Sequence, residues 1–306
     1  MLTIQLNPKF HFEELIMYYK SENVFNRLIK QCALIITAFA SLVFIEAGSA
    51  SAQGKWYFNG YFQISQGNYM FSTNTMTFYF TPGVRYESDS WNFSVGLPLV
   101  TQNTNLVTRV GDMLLPHGGS SMGTSGMGGN GGMSMMGTGA GNVTAVGFGD
   151  LYLSGEYWIL EDSFGNYVPG VALGLQVKVP TASTSYNFGT GKFDYGATMT
   201  LRKMFGTFVG ILNLGYLVVG SPAGINLENP LMYGTGIGKF FGNDFSALVY
   251  FQGYSRILYG YPPPNQVSAG LNYQVSQDLN LSVIFSKGLT ETAPIIGAGA
   301  GVKIKI

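Results

Sequence analysis

The chain has 306 residues, of which only 10% are charged, while 14% are aromatic and 43 are glycine. A soluble domain spends about a quarter of its residues on charge to cover its surface, and sixteen basic residues balanced by sixteen acidic ones leave no basic face for nucleic acid. Beyond the N-terminal region no apolar run reaches the roughly 20 residues that a spanning helix needs, so a membrane protein of this composition would have to cross with strands.

The first 52 residues read as an export signal. Lys20, Arg27 and Lys30 precede CALIITAFASLVFI (32–45), and EAGSASAQ follows. A basic segment, an apolar core and Ala50-Ser51-Ala52 as an A-x-A site predict cleavage after Ala52. The alternative, a single membrane anchor, has an apolar run that is short for the purpose. Met17 offers a second start, because residues 1–16 exceed what a signal needs. Cys32, the one cysteine, lies in this segment, which leaves residues 53–306 without a disulfide or a thiol metal site. Residues 1–52 hold four charges of each sign, so the remainder also carries no net charge.

From there two-residue alternation runs through the chain. In TMTFYFTPGVRY (75–86) Met76, Phe78, Phe80, Val84 and Tyr86 share one face, opposite Thr75, Thr77, Thr81 and Arg85. Trp91, Phe93, Val95, Leu97 and Leu99 form the next apolar face. In VALGLQVKVP (171–180) Leu173, Leu175, Val177 and Val179 oppose Gly174, Gln176 and Lys178. Phe193, Tyr195, Ala197, Met199 and Leu201 then oppose Asp194, Thr198, Thr200 and Arg202. Such periodicity marks half-buried strands. Twelve strands of about ten residues are predicted near 55–65, 74–86, 90–100, 146–159, 168–180, 192–204, 206–220, 229–240, 244–255, 265–275, 277–287 and 295–306, the length a tilted strand needs to cross a bilayer. Within 229–240 glycine takes alternate positions, and the pattern does not say which face points outward.

The connections alternate too. Those after the even-numbered strands are tight, as at 87–90, 205–206, 241–244 and 276–278, with 160–167 the longer exception. Those after the odd strands are longer: 101–145, 181–191, 221–228, 256–264 and 288–294. Short periplasmic turns and long external loops are the habit of bacterial barrels. A soluble β-sandwich would explain the alternation but not the scarcity of charge. Nor would it explain Trp56, Phe58, Tyr86, Trp91, Tyr157 and Trp158 at strand ends, which suit an interfacial girdle. The fold class expected is therefore all-β, a transmembrane antiparallel up-and-down barrel of about 12 strands in the outer membrane of a Gram-negative bacterium. Lipid is its first partner, and the barrel-assembly machinery attends it during biogenesis. A lysine facing lipid at the midplane costs about 2–4 kcal/mol, so Lys178 is expected to face the lumen.

That phase directs Arg85, Asp150, Glu156, Lys178, Asp194, Arg202 and Lys303 inward. Asp150, Glu156, Lys178, Asp194 and Arg202 lie on consecutive strands and are the candidate lumen residues. They would form either a selectivity ladder or a set of paired charges that hold the barrel closed. The tract HGGSSMGTSGMGGNGGMSMMGTGAGN (117–142), within the 101–145 loop, has too little apolar surface to order itself and reads as a solvated or lumen-plugging loop. Its Met133, Met135 and Met136, near His117, are soft donors of the kind that select Cu(I), although no second histidine joins them. No other metal site and no cofactor are indicated. His117 is the one histidine after residue 52. No rigid nucleophile–base pair is visible, so an enzyme is not expected.

The central stretch resembles a family of outer-membrane proteins named for the MetA pathway of phenol degradation. The carrying segments are GFGDLYLSGEY (147–157), LGLQVKVPTA (173–182), FGTGKFDYG (188–196) and NLGYLVVG (213–220). Gly147, Gly149, Asp150, Lys178, Pro180, Thr181, Gly189, Gly191, Asp194, Asn213, Gly215 and Tyr216 match the family pattern in order. Ala182 stands where that pattern has glycine, and Ile306 ends the chain where barrels of this kind usually have an aromatic residue. The resemblance implies a channel or transporter for small hydrophobic or aromatic solutes. The competing expectation is a non-transporting surface barrel whose loop binds copper or a partner.

Overall fold

A computed structural model describes residues 54–104, 106–111, 113–116, 144–162, 167–183, 187–222 and 227–306. The expected signal segment, 1–52, and the methionine-rich tract lie outside these residues. The strands are β1 (Lys55–Gly67), β2 (Thr75–Glu87), β3 (Trp91–Gly96), β4 (Leu99–Gln102), β5 (Val107–Val110), β6 (Met113–Pro116), β7 (Ala145–Phe148), β8 (Leu151–Leu160), β9 (Gly170–Val179), β10 (Asp194–Phe205), β11 (Phe208–Val219), β12 (Leu231–Phe241), β13 (Phe245–Tyr254), β14 (Asn265–Ser276), β15 (Leu279–Gly288) and β16 (Ile296–Lys305).

Fourteen of them form one antiparallel sheet, which closes where β1 pairs with both β16 and β2. Two wall strands are broken in the middle. β3 and β4 both pair with β2 and are separated by Leu97-Pro98. Across from them β7 and β8 are separated by Gly149-Asp150. Pro98 has no N–H to give the ladder, but its carbonyl accepts the Gly149 N–H at 2.7 Å, so the two interruptions are tied together. Counting each broken pair as one strand gives a closed wall of twelve. Closure leaves no sheet edge, the condition for a β-structure in hydrocarbon.

Side-chain alternation runs as the sequence predicts. On β9 Leu173 and Leu175 are 49% and 68% exposed on the outer surface, while Lys178 on the other face is 3% exposed. Phe62, Phe80, Tyr195, Leu214, Ile237, Val249, Val283 and Phe285 continue the outer apolar band around the wall. Near the 88–90 turn Trp56, Tyr86 and Trp91 meet in series, edge-to-face and then tilted, with ring centroids 5.0 and 4.8 Å apart. Trp158 corrects the girdle expectation. Its neighbour Tyr157 faces outward opposite Trp91, so Trp158 must face inward, where its ring lies beneath Arg202.

The glycines of β12 resolve the ambiguous strand. Gly234 and Gly236 face inward because the Tyr250 side chain, one strand over, lies across the space that a Cβ at either would take. Gly299 on β16 is covered in the same way by Tyr61 of β1. These tracks let large rings lie flat against the wall instead of filling the lumen.

The long connection between β4 and β7 is not wholly an external loop. Residues 107–116 make a hairpin, β5–β6, with a two-stranded sheet of its own. It lies inside the barrel. Val107 and Leu114 pack with Tyr69, Tyr79, Val100, Ala145 and Phe188 on the β2–β4–β7 side. Val110 and Leu115 pack with Leu217, Val219, Tyr254 and Ile257 on the β11–β13 side, across the ring of strands. The hairpin therefore spans the outer half of the lumen with apolar contacts on two walls.

Candidate functional site

Three inward charges meet where the barrel wall gives way to the 180–193 connection. Asp150 sits just before β8, Lys178 near the end of β9, and Asp194 opens β10 directly opposite Lys178. Lys178 Nζ lies 2.8 Å from Asp194 Oδ2 and 3.5 Å from Asp150 Oδ2, and all three side chains are 2% exposed. The ammonium also donates to Thr190 Oγ1 at 2.9 Å. The remaining carboxylate oxygens accept backbone N–H groups, Asp150 Oδ1 from Ala182 at 2.9 Å and Asp194 Oδ1 from Gly220 at 3.0 Å. A buried ion pair holds only when such leftover lone pairs are satisfied.

The family-type motif residues build this same knot. Thr181 Oγ1 donates to the Gly149 carbonyl at 3.1 Å and accepts the Leu151 N–H at 2.9 Å, replacing the ladder bond lost at the β7–β8 break. Gly189 is small because Asp150 occupies the space beside it. Residues scattered over some fifty positions thus fasten one external connection to three wall strands.

The other two candidates stand apart from this knot. Glu156 accepts from Asn92 Nδ2 at 3.1 Å across the β3–β8 pair. Arg202 lies over the Trp158 ring, 4.1 Å from its centroid. The five residues share one face of the wall but fall into three groups along the lumen rather than one continuous ladder. Arg85 and Lys303 converge instead on Glu87, at 2.6 and 2.8 Å. Lys303 also lies over Tyr57. With Lys55, Gln274, Asp278 and Asn280, Tyr57 and Lys303 line a polar pocket of about 340 Å³ at the short-turn end.

Sequence reasoning missed the hairpin's own charge. Arg109 reaches the wall between two inward tyrosines, its guanidinium carbon 5.0 Å from the Tyr79 ring centroid and 5.2 Å from that of Tyr152. Its Nε donates to the Gly111 carbonyl at 3.2 Å, which fixes it to the hairpin turn. Tyr152 is paired with Lys178 across β8–β9, so this contact adjoins the charge knot. Six tyrosines of the wall face inward in all: Tyr57, Tyr61, Tyr79, Tyr152, Tyr250 and Tyr254. Among the described residues no group of three or more His, Cys, Asp or Glu could hold a metal. The copper expectation, on Met133, Met135, Met136 and His117, falls outside them.

A protein family described as "Putative MetA-pathway of phenol degradation" matches residues 92–306, well over half of the chain. No curated protein matches in sequence. Among solved structures, the COG4313 outer membrane channel from Pseudomonas putida F1 is similar with a TM-score of 0.57 at 10% identity, covering 84% of this chain and 97% of that one. That likeness supports the barrel fold. The KdgM porin, with a TM-score of 0.45 at 7% identity, covers 82% of this chain and 99% of its own. The TodX deltaS2S3 mutant, a monoaromatic hydrocarbon channel, gives 0.39 at 9% identity over 84% and 91%.

Proposed function

We propose that this chain, which belongs to the family named for the MetA pathway of phenol degradation, is an outer-membrane channel of a Gram-negative bacterium for small hydrophobic or aromatic solutes. The observation that carries the reading is the lumen's lining. Its outer half is closed by an apolar hairpin, and six tyrosines face inward along the wall. A tyrosine offers an apolar ring face with a polar tip, and a lumen of such surfaces holds a small aromatic molecule without trapping it as an all-apolar cavity would. The P. putida relative of the same fold is itself an outer membrane channel.

In this reading the five lumen residues divide the work. Asp150, Lys178 and Asp194 shape the outer mouth by anchoring the 180–193 and 220–230 connections. Glu156 and Arg202 set the charge that a solute meets further along the lumen. The test is the initial uptake rate of radiolabelled toluene by intact cells bearing the protein, compared with empty-vector cells, because lipopolysaccharide slows such solutes in the outer leaflet. Several-fold faster uptake is expected. Equal rates in cells with confirmed surface expression would overturn the reading.

A further inference from the structure

The Arg109 contact has the form of an occupied binding slot. Tyr79 on β2 and Tyr152 on β8 are not on adjacent strands. The strand between them presents Gly96 opposite Tyr152 and Val100 opposite Tyr79. Gly96 has no side chain of its own, and the Thr81 methyl lies over its space, so the two tyrosine rings are the aromatic surfaces on either side of this position. The Arg109 guanidinium carbon lies almost equally far from the two ring centroids, at 5.0 and 5.2 Å. A planar cation and a flat aromatic ring are alternative partners for the same π-faces.

Two further observations bear on what the arginine is doing there. Arg109 belongs to the β5–β6 hairpin, whose ladder is internal, so no backbone ladder with the wall breaks when the hairpin shifts. Buried apolar residues line one side, with Tyr79, Val100 and Val107 at most 3% exposed and Ala145 and Leu114 also buried, while the charge knot adjoins the other through Tyr152 and Lys178. A neutral ring gives up less hydration than a cation on entering such a place.

We propose that the Tyr79–Tyr152 slot recognises a flat aromatic ring, and that Arg109 is its resting occupant, displaced together with the hairpin when a solute enters. The proposal rests on the channel reading above and names its selective element. Tyr79 and Tyr152 then discriminate by shape and π-character. A saturated ring with the same number of carbons is thicker and has no quadrupole to meet the tyrosine faces. Arg109 is the latch whose loss leaves the slot vacant and the hairpin less firmly seated.

The experiment compares uptake of radiolabelled toluene and methylcyclohexane by cells bearing the full chain. The native protein is expected to favour toluene several-fold. Tyr152→Leu and Tyr79→Leu should bring the toluene-to-methylcyclohexane ratio toward that of the bare membrane, whereas Tyr152→Phe, which keeps the ring, should preserve it. Arg109→Met should raise uptake of both solutes, and because it alters only the hairpin it also tests the idea should the wall variants not assemble. Heat-modifiable migration on gels confirms a folded barrel in each case. A native ratio in the leucine variants, or an Arg109→Met rate equal to native, overturns the slot. Equal acceleration of both solutes by the native protein also removes the slot but leaves the channel standing. No acceleration of either solute, in native and Arg109→Met alike, removes the channel as well.

Discussion

Lys178 and Asp194 face each other across the β9–β10 ladder at 2.8 Å, with neither side chain more than 2% exposed. Taking one partner from a buried pair leaves an uncompensated charge, at a typical cost of about 3–5 kcal/mol. Lys178→Met, which strands two carboxylates, should therefore lower the urea-unfolding stability of the refolded barrel by that order. The double variant Lys178→Met/Asp194→Asn should lose clearly less than the two single losses added together. Strict additivity would show that the residues do not act as a pair.

The tyrosine-on-glycine packing makes a second prediction. A Cβ at Gly234 collides with the Tyr250 ring from the neighbouring strand. Forcing extra volume into a filled site costs about 1–3 kcal/mol, so Gly234→Ala should lower the thermal midpoint of the barrel. Adding Tyr250→Ala should return part of that loss. If Gly234→Ala is neutral alone, the ring is not held where the structure places it.

A third prediction concerns acid. In the 161–169 turn the Asp162 carboxylate accepts a hydrogen bond from Lys203 Nζ and another from the Met204 N–H, which tie the turn to β10. The Lys203 hydrogen bond comes first among the causes that hold the Asp162 carboxyl below its ordinary value of 3.8. A depressed carboxylate stabilises the fold above its unfolded pKa, and that contribution disappears as pH falls through the folded value. Exchange of the Met204 amide, which donates to this carboxylate, should therefore stay slow from neutral pH down to about 5 once intrinsic rates are corrected, then quicken below the ordinary carboxylate range. Asp162→Asn should abolish the pH dependence. A protection step near neutral pH would assign the effect to another group.

The wall was legible because lipid and lumen enforce a strict period of two on every strand, and a slip by one residue would turn a whole face over. Lys178 opposite Leu173 and Leu175 is enough to orient β9. Alternation assigns a face but not a height, which is why Glu156 and Arg202 shared the inward phase with Asp150, Lys178 and Asp194 without joining their cluster. The hairpin was not legible for a different reason. Its apolar residues Val107, Val110, Leu114 and Leu115 pack to both sides within ten positions, so no exposed face sets a rhythm. Trp158 illustrates the limit of composition: a tryptophan at a strand end suits a lipid interface, but its parity and the cation of Arg202 draw it inward. The ordered match at Asp150, Lys178, Thr181, Gly189 and Asp194 was visible as a resemblance. That these residues are one knot appears only when β8, β9 and β10 lie side by side.

Because β5–β6 keeps its ladder to itself, the container and its stopper answer to separate constraints. A substitution in the wall must respect register, lipid and two neighbouring strands at once. A substitution in the hairpin must only still fit the space it fills. Over evolutionary time the stopper can change its shape and its chemistry while the container stays the same, and related barrels can diverge in what they admit without relearning how to fold.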